Sequence, residues 1–179
     1  MRKRDEEMSD IEQVLPATAS WDAVVPSPIG LVGVAMHGDA VCRLAVLPAD
    51  TPPRPAANGA ARELLDQLFQ YFDDPSWPIE ARLAFNGTAF QRRVWTALQR
   101  IPLGQVTEYG TLASALGSSA RAVGAACRRN PIPVIVPCHR VVSRRGFGGY
   151  MGAVDGPALA VKKWLLRHER ATGFRFAVE

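Results

Sequence analysis

No apolar run in this sequence approaches the ~20 residues of a membrane helix, so no membrane span and no membrane partner are expected. The N-terminus, Met1-Arg-Lys-Arg-Asp-Glu-Glu, has no apolar stretch after its basic residues, so no signal peptide is expected either. There are only three cysteines, Cys42, Cys127 and Cys138. That is too few for a disulfide scaffold, and an odd number without an export signal points to reduced thiols in a cytoplasm. No Cys-x-x-Cys or His-x-x-x-His spacing occurs, so no metal site is expected. The glycine-rich segment 143–152 lacks the Gly-x-x-x-x-Gly-Lys pattern of a phosphate loop. What is present is a chain of 179 residues, 47% hydrophobic and 21% charged, which reads as one globular domain or two small ones.

Charge is distributed unevenly. Residues 1–90 carry 7 Lys+Arg against 13 Asp+Glu, and residues 91–179 carry 14 against 4. A basic C-terminal half fits a polyanionic partner, nucleic acid first, and fits a solvated basic face equally well.

Residues 1–20 are polar and without a clear period, and read as a mobile tail. Ile29–Met36 and Ala40–Leu47 are apolar runs around His37-Gly38-Asp39, the pattern of a β-hairpin with His37 in the turn and Cys42 in the core. Ala61, Leu64, Leu65, Leu68, Phe69 and Phe72 recur at helical spacing, which predicts an amphipathic helix over 60–72. Ile79–Phe85 alternates weakly, as a strand does. Together these predict a small α+β domain over 21–86, with Asn86-Gly87 as the boundary to a second domain over 87–179.

The second domain opens on Thr88-Ala-Phe-Gln91, a capping box, followed by the apolar stripe Phe90, Val94, Trp95, Leu98 of a helix ending near Arg100. Tyr109–Leu116 and Ala120–Arg129 read as two short helices around Gly117-Ser118-Ser119, a helix-turn-helix layout. On the second of these, Ala120, Arg121, Gly124, Ala125 and Arg128 share one face. Small side chains edged by arginines suit close approach to a narrow groove, and also suit ordinary helix packing. Cys127 lies off that face. Ala158–Arg170 reads as a last helix, with Glu169 the only acid between Asp155 and Glu179.

The most reactive stretch is Val134-Ile-Val-Pro-Cys138-His-Arg-Val-Val142. Only a thiolate is a good nucleophile. His139 could take the Cys138 proton, Arg140 adds positive charge, and the apolar flanks would limit water. A bare Cys-His pair on its own fits a buried structural cysteine on a strand better.

Taken as a set, residues 85–169 resemble the O6-alkylguanine-DNA alkyltransferases. The resemblance rests on Gly87-Thr-Ala-Phe-Gln-Arg-Arg-Val-Trp95, Ile101-Pro-Leu-Gly104, Tyr109, Ala120-Arg-Ala-Val-Gly124, Asn130-Pro131, Val136-Pro-Cys-His-Arg-Val141, Gly148-Gly-Tyr150 and Lys163-Trp-Leu-Leu-Arg-His-Glu169. Ser27-Pro-Ile-Gly30 matches the family's N-terminal domain more weakly. The resemblance implies a ribonuclease H-like sheet in the first domain and a mostly helical second domain with a helix-turn-helix. It implies DNA repair, in which Cys138 takes an alkyl group from O6 of guanine, or O4 of thymine, in duplex DNA bound through the minor groove. The catalytic set would be Cys138, His139, Glu169, Asn130 and Tyr109. Arg121 would replace the extruded base, with Ala120, Gly124, Ala125, Arg128 and Tyr109 against DNA. Val136, Pro137, Tyr150 and Met151 would form the substrate pocket. No cofactor is implied, and a monomer is expected.

Three departures stand out. Met151 lies where many relatives have a small or polar residue, the segment between Tyr150 and Lys162 is a few residues longer than expected, and Glu108 precedes Tyr109 where Ser or Thr is usual. Two other readings compete. A lesion sensor or regulator with the same helix pair would not need Cys138, and a cysteine hydrolase would need an oxyanion hole and water access.

Overall fold

The computed structural model describes residues 20–173. The tail expected over residues 1–20 therefore lies, except for Ser20, outside the described residues. The described chain divides into two compact units, one of residues 20–69 and 79–86, the other of residues 70–78 and 87–173. Among the described residues, no helix is long and apolar enough to cross a membrane.

In the first unit, β1 (Ala23–Ser27), β2 (Gly30–His37) and β3 (Ala40–Leu47) form an antiparallel meander, and the two-residue β4 (Arg82–Leu83) adds to β3 in parallel. The expected hairpin is there, turning on Gly38 at φ +61, with His37 the last residue of β2 rather than part of the turn. Strand β1 was not expected, because Pro26 interrupts its apolar run. Proline is tolerated there because β1 is an edge strand. The strand expected over Ile79–Phe85 shrinks to Arg82–Leu83, since its weak alternation offers little to bury. Cys42 is buried in this unit's core. Helix α1 (Gly59–Asp73) follows Asn58, whose side chain accepts from the Ala61 amide (2.8 Å), and buries Ala61, Leu64, Leu65 and Leu68.

In the second unit, α2 (Ala89–Leu98) starts with the expected capping box between Thr88 and Gln91 and buries Val94, Trp95 and Leu98. Its Trp95 indole donates to the Ala126 carbonyl (2.9 Å). A Cβ at Gly87 would sit 2.6 Å from that indole, so glycine is what lets the ring lie against the backbone. Helices α3 (Tyr109–Ala115) and α4 (Ala120–Arg128) are joined by residues 116–119, and Ser119 caps α4 by accepting from Ala122 N. α4 packs on α2 and α3 through its buried face, Val123, Ala126 and Cys127. That leaves Ala120, Arg121, Ala125 and Arg128 exposed and Gly124 half-buried.

The last helix, α5, spans Gly156–His168, not Ala158–Arg170 as its apolar residues suggest. Pro157 presets the first turn, and Arg170 at φ +49 cannot continue it. Strands β5 (Thr107–Glu108) and β6 (Val141–Val142) pair in parallel. This pairing sets the start of α3, with Tyr109, beside the chain leaving Cys138.

Candidate active site

Cys138 does not sit on a strand. It opens a single-turn 3-10 helix, Cys138–Arg140, and extended chain resumes only at Val141. The prolines account for this. Pro137, at φ −81 and ψ 64, is the centre of an inverse γ-turn that the Cys138 amide closes on the Val136 carbonyl (2.8 Å). Upstream, Val134 is held at φ +77, which no strand accommodates. The turn is braced by Asn130. Its carboxamide donates to the Val136 carbonyl (2.7 Å) and to Cys138 Sγ (3.2 Å), and its oxygen accepts from Ile132 N (3.0 Å).

Cys138 is 4% exposed and opens on a cavity of about 630 Å³. Tyr109, Gly124, Cys127, Arg128, Tyr150 and Met151 also line it. Val136 and Pro137 are buried but do not line this cavity; their contribution is the turn itself. Arg121 is exposed on α4 and does not line it either. Met151 and Gly152, at φ +49 and +89, form a tight two-residue turn closed by paired hydrogen bonds between Tyr150 and Ala153. The longer segment after Tyr150 is thus folded back as a small hairpin on the cavity rim. A Cβ at Gly152 would meet Arg128 Nε at 2.7 Å, so Arg128 lies along that hairpin.

His139 and Glu169 form a buried pair, His139 Nε2 to Glu169 Oε1 at 2.9 Å, with both side chains at 0% exposure. Burial alone would raise the Glu169 pKa, but hydrogen bonds from His139 and Arg140 outweigh it and hold the carboxyl below the usual range. A carboxylate only accepts, so Nε2 of His139 must carry the hydrogen. The lone pair of neutral His139 is then at Nδ1, which is buried and has no hydrogen-bond partner in the protein. Burial pushes the His139 pKa down, against the pull of Glu169, so the ring is a neutral base. Burial likewise pushes the Cys138 thiol up, opposed by the Asn130 hydrogen bond and the charge of Lys162.

Two features carry no signal in the sequence pattern. Arg140 is not a free counter-charge for the thiol. Its Nε and Nη2 bind Glu169 (2.9 Å each), and Nη1 donates to the Ile101 carbonyl (2.6 Å). The cation near the thiol is Lys162, 0% exposed on α5. It donates to the carbonyls of Val141 (2.6 Å), Phe147 (2.6 Å) and Gly149 (3.2 Å). Burial lowers its pKa to about 8. The Tyr109 hydroxyl shares the Gly149 carbonyl (3.1 Å), and burial raises its pKa.

Gly148 completes this wall at φ +68, where a Cβ would lie 2.8 Å from the Tyr109 ring. Gly148→Ala is therefore expected to destabilise the fold by roughly 2 kcal/mol, from backbone strain and displacement of the ring. Urea denaturation checks this, and an unchanged midpoint would contradict it. Among the described residues, no group of three or more His, Cys, Asp or Glu could hold a metal ion.

The model of the family described as "6-O-methylguanine DNA methyltransferase, DNA binding domain" matches residues 89–171. A methylated-DNA–protein-cysteine methyltransferase of Mycobacterium tuberculosis is 40% identical over 141 residues, covering 73% of this chain and 84% of the relative. The chain belongs to the methylated-DNA–protein-cysteine methyltransferases. Its relative in Salmonella typhimurium is 51% identical over 110 residues, 59% of this chain and 61% of that protein's length. The chain thus spans about three fifths of that relative. Among solved structures, a variant of the M. tuberculosis O6-methylguanine methyltransferase superposes with a TM-score of 0.71 at 37% identity, covering 82% of this chain and 90% of the other. The same organism's protein in complex with DNA gives 0.70 at 37% identity, with 82% and 91% covered. The mixed α+β architecture is common to the methyltransferase structures.

Proposed function

We propose that this methyltransferase repairs duplex DNA by taking an alkyl group from O6 of guanine, and from O4 of thymine, onto Cys138 in a single turnover. The observation that carries this reading is a cavity-lining thiol held by Asn130, followed in the chain by a buried neutral His139 whose tautomer is fixed by Glu169. The solved relative in complex with DNA supports DNA as the partner.

Helices α3 and α4 act as a helix-turn-helix, with the exposed small-residue face of α4 entering the minor groove. Ala120, Gly124 and Ala125 allow close approach, and Arg121 takes the place of the extruded nucleotide. Extrusion is needed because a nucleophile cannot reach the O6 substituent in line inside the stack. Tyr109 helps turn the 3′ phosphate, and the extruded guanine enters the cavity between Cys138, Tyr109 and Tyr150. The S–C bond forms as the C–O6 bond breaks. The thiol proton passes through a water to Nδ1 of His139, and the departing guanine takes a proton from the Tyr109 hydroxyl. The product is a thioether, which water does not cleave under these conditions, so each molecule reacts once. The protein works as a monomer. The three free thiols suit a reducing cytoplasm, where Cys138 stays available.

The experiment is a stoichiometric titration: duplex DNA carrying O6-methylguanine in excess over protein, with repaired sites counted at completion. One repaired site per molecule is expected. Continued turnover would contradict single use, and binding without repair would favour a lesion sensor. For Arg121→Ala, repair in duplex DNA should slow by roughly a hundredfold while reaction with free O6-benzylguanine changes less than about twofold, since the free base skips extrusion. Equal losses on both substrates would exclude an extrusion role.

A further inference from the structure

Glu169 accepts more than its His139 and Arg140 partners provide. The Tyr71 hydroxyl donates to Glu169 Oε1 at 2.7 Å, on the same oxygen that binds His139 Nε2 and Arg140 Nη2, while Arg140 Nε occupies Oε2. Oε1 thus serves three donors with about two lone-pair positions, while Oε2 serves one. Tyr71 is 4% exposed, and its ring packs edge-on against His168 (5.4 Å) and beside Phe72 (5.6 Å). The hydroxyl is thus held in place from two sides. Burial, the charge of Glu169 and the bond to it keep the phenol un-ionised, hence a donor.

We propose that Tyr71 is a positioning residue for alkyl transfer, whose hydroxyl draws charge from Glu169 and so limits how tightly His139 holds the proton it takes from Cys138. The inference rests on the reading of Cys138 as the alkyl acceptor. Its physical basis is competition for one oxygen. Three donors share the charge of Oε1, so an imidazolium at His139 is stabilised less than it would be by a carboxylate with a free lone pair. The other ionisable groups around His139 and Tyr71 are Arg140, Lys162, Cys138, Tyr150 and His168; of these, the buried phenol of Tyr150 also feels Tyr71.

The sign follows. Tyr71→Phe removes a donor, makes Glu169 a stronger base and raises the pH at which His139 becomes protonated. The acid limb of the transfer rate should move up by roughly half a pH unit or more, with the plateau undiminished. Placing 3,5-difluorotyrosine at position 71 strengthens the donor and should move the limb down. Both are read in single-turnover reactions with O6-methylguanine duplex. They are read again as carbamidomethylation of Cys138 by iodoacetamide, the thiolate displacing iodide, followed by peptide mass, which needs no DNA. If DNA transfer fails in the unaltered protein but the iodoacetamide limbs still move in opposite directions, the alkyl-acceptor reading falls and the role of Tyr71 toward His139 stands. If both variants share the unaltered acid midpoint, or only the plateau drops, Tyr71 is a packing residue and the inference is overturned. Should Tyr71→Phe not fold, the difluorotyrosine protein decides alone.

Discussion

Replacing Glu169 by Gln is expected to slow alkyl transfer by about a hundredfold and to destabilise the fold by about 3 kcal/mol. Four donor contacts converge on this side chain, from Tyr71, His139 and Arg140. A carboxamide can accept on one side only. Whichever way it turns, its NH2 group faces a donor, either the Arg140 Nε or the cluster of Tyr71, His139 and Arg140 Nη2. The half-buried Arg140 guanidinium then lacks a full counter-charge, and His139 can flip its tautomer, which moves the lone pair away from Nδ1.

The pH dependence separates the two effects. The folded-state pKa of Glu169 is depressed below its unfolded value of about 4.3, so its stabilising contribution is present above that value. It is lost as pH falls toward the folded-state pKa. Acid unfolding of the unaltered protein should therefore steepen below about pH 4, and Glu169→Gln should lose that part of the slope. An acid unfolding curve of unchanged slope would show that the carboxylate is not the stabilising species.

Lys162→Met should slow transfer by roughly tenfold or more and destabilise the fold by roughly 2 kcal/mol. The methionine fills the space of the lysine stem, so the loss isolates the ammonium. Without it the carbonyls of Val141 and Phe147 lose the ammonium as a donor, while Gly149 keeps Tyr109. The segment bearing Phe147 and Gly149 is then tied less firmly to β6. The thiolate also loses the favourable charge of Lys162, while Arg140 is already neutralised by Glu169. Single-turnover kinetics and urea denaturation check both numbers. A variant with unaltered rate would mean that Asn130 alone supports the thiolate.

What the sequence reveals of this site is limited by which interactions have a local pattern. The capping box at Thr88 and Gln91 depends on residues three apart and is legible at once. So is the small, arginine-edged face of α4, because helical spacing puts those residues together. Cys138 and His139 are legible as chemistry but not as geometry. Their β-branched neighbours suggest a strand, and the 3-10 turn follows from Pro137 and from the Asn130 bonds, which operate over six and eight residues. Tyr71 and Lys162 are not legible at all. Tyr71 lies among the apolar residues of an amphipathic helix, 98 residues from Glu169, and Lys162 looks like any solvated lysine on α5. A buried cation satisfied by three backbone carbonyls leaves no side-chain partner for the sequence to display. β1 is not legible because edge strands tolerate proline, and whether a strand is an edge is a property of the sheet.

The central claim is that Cys138 itself is the alkyl acceptor. The most direct measurement is the intact mass of the protein after incubation with duplex DNA carrying O6-methylguanine, followed by peptide mapping. A gain of one methylene equivalent per molecule is expected, located on the peptide bearing Cys138 and absent from Cys138→Ala. An unchanged mass, or a gain that persists in Cys138→Ala or maps to Cys127, would contradict it.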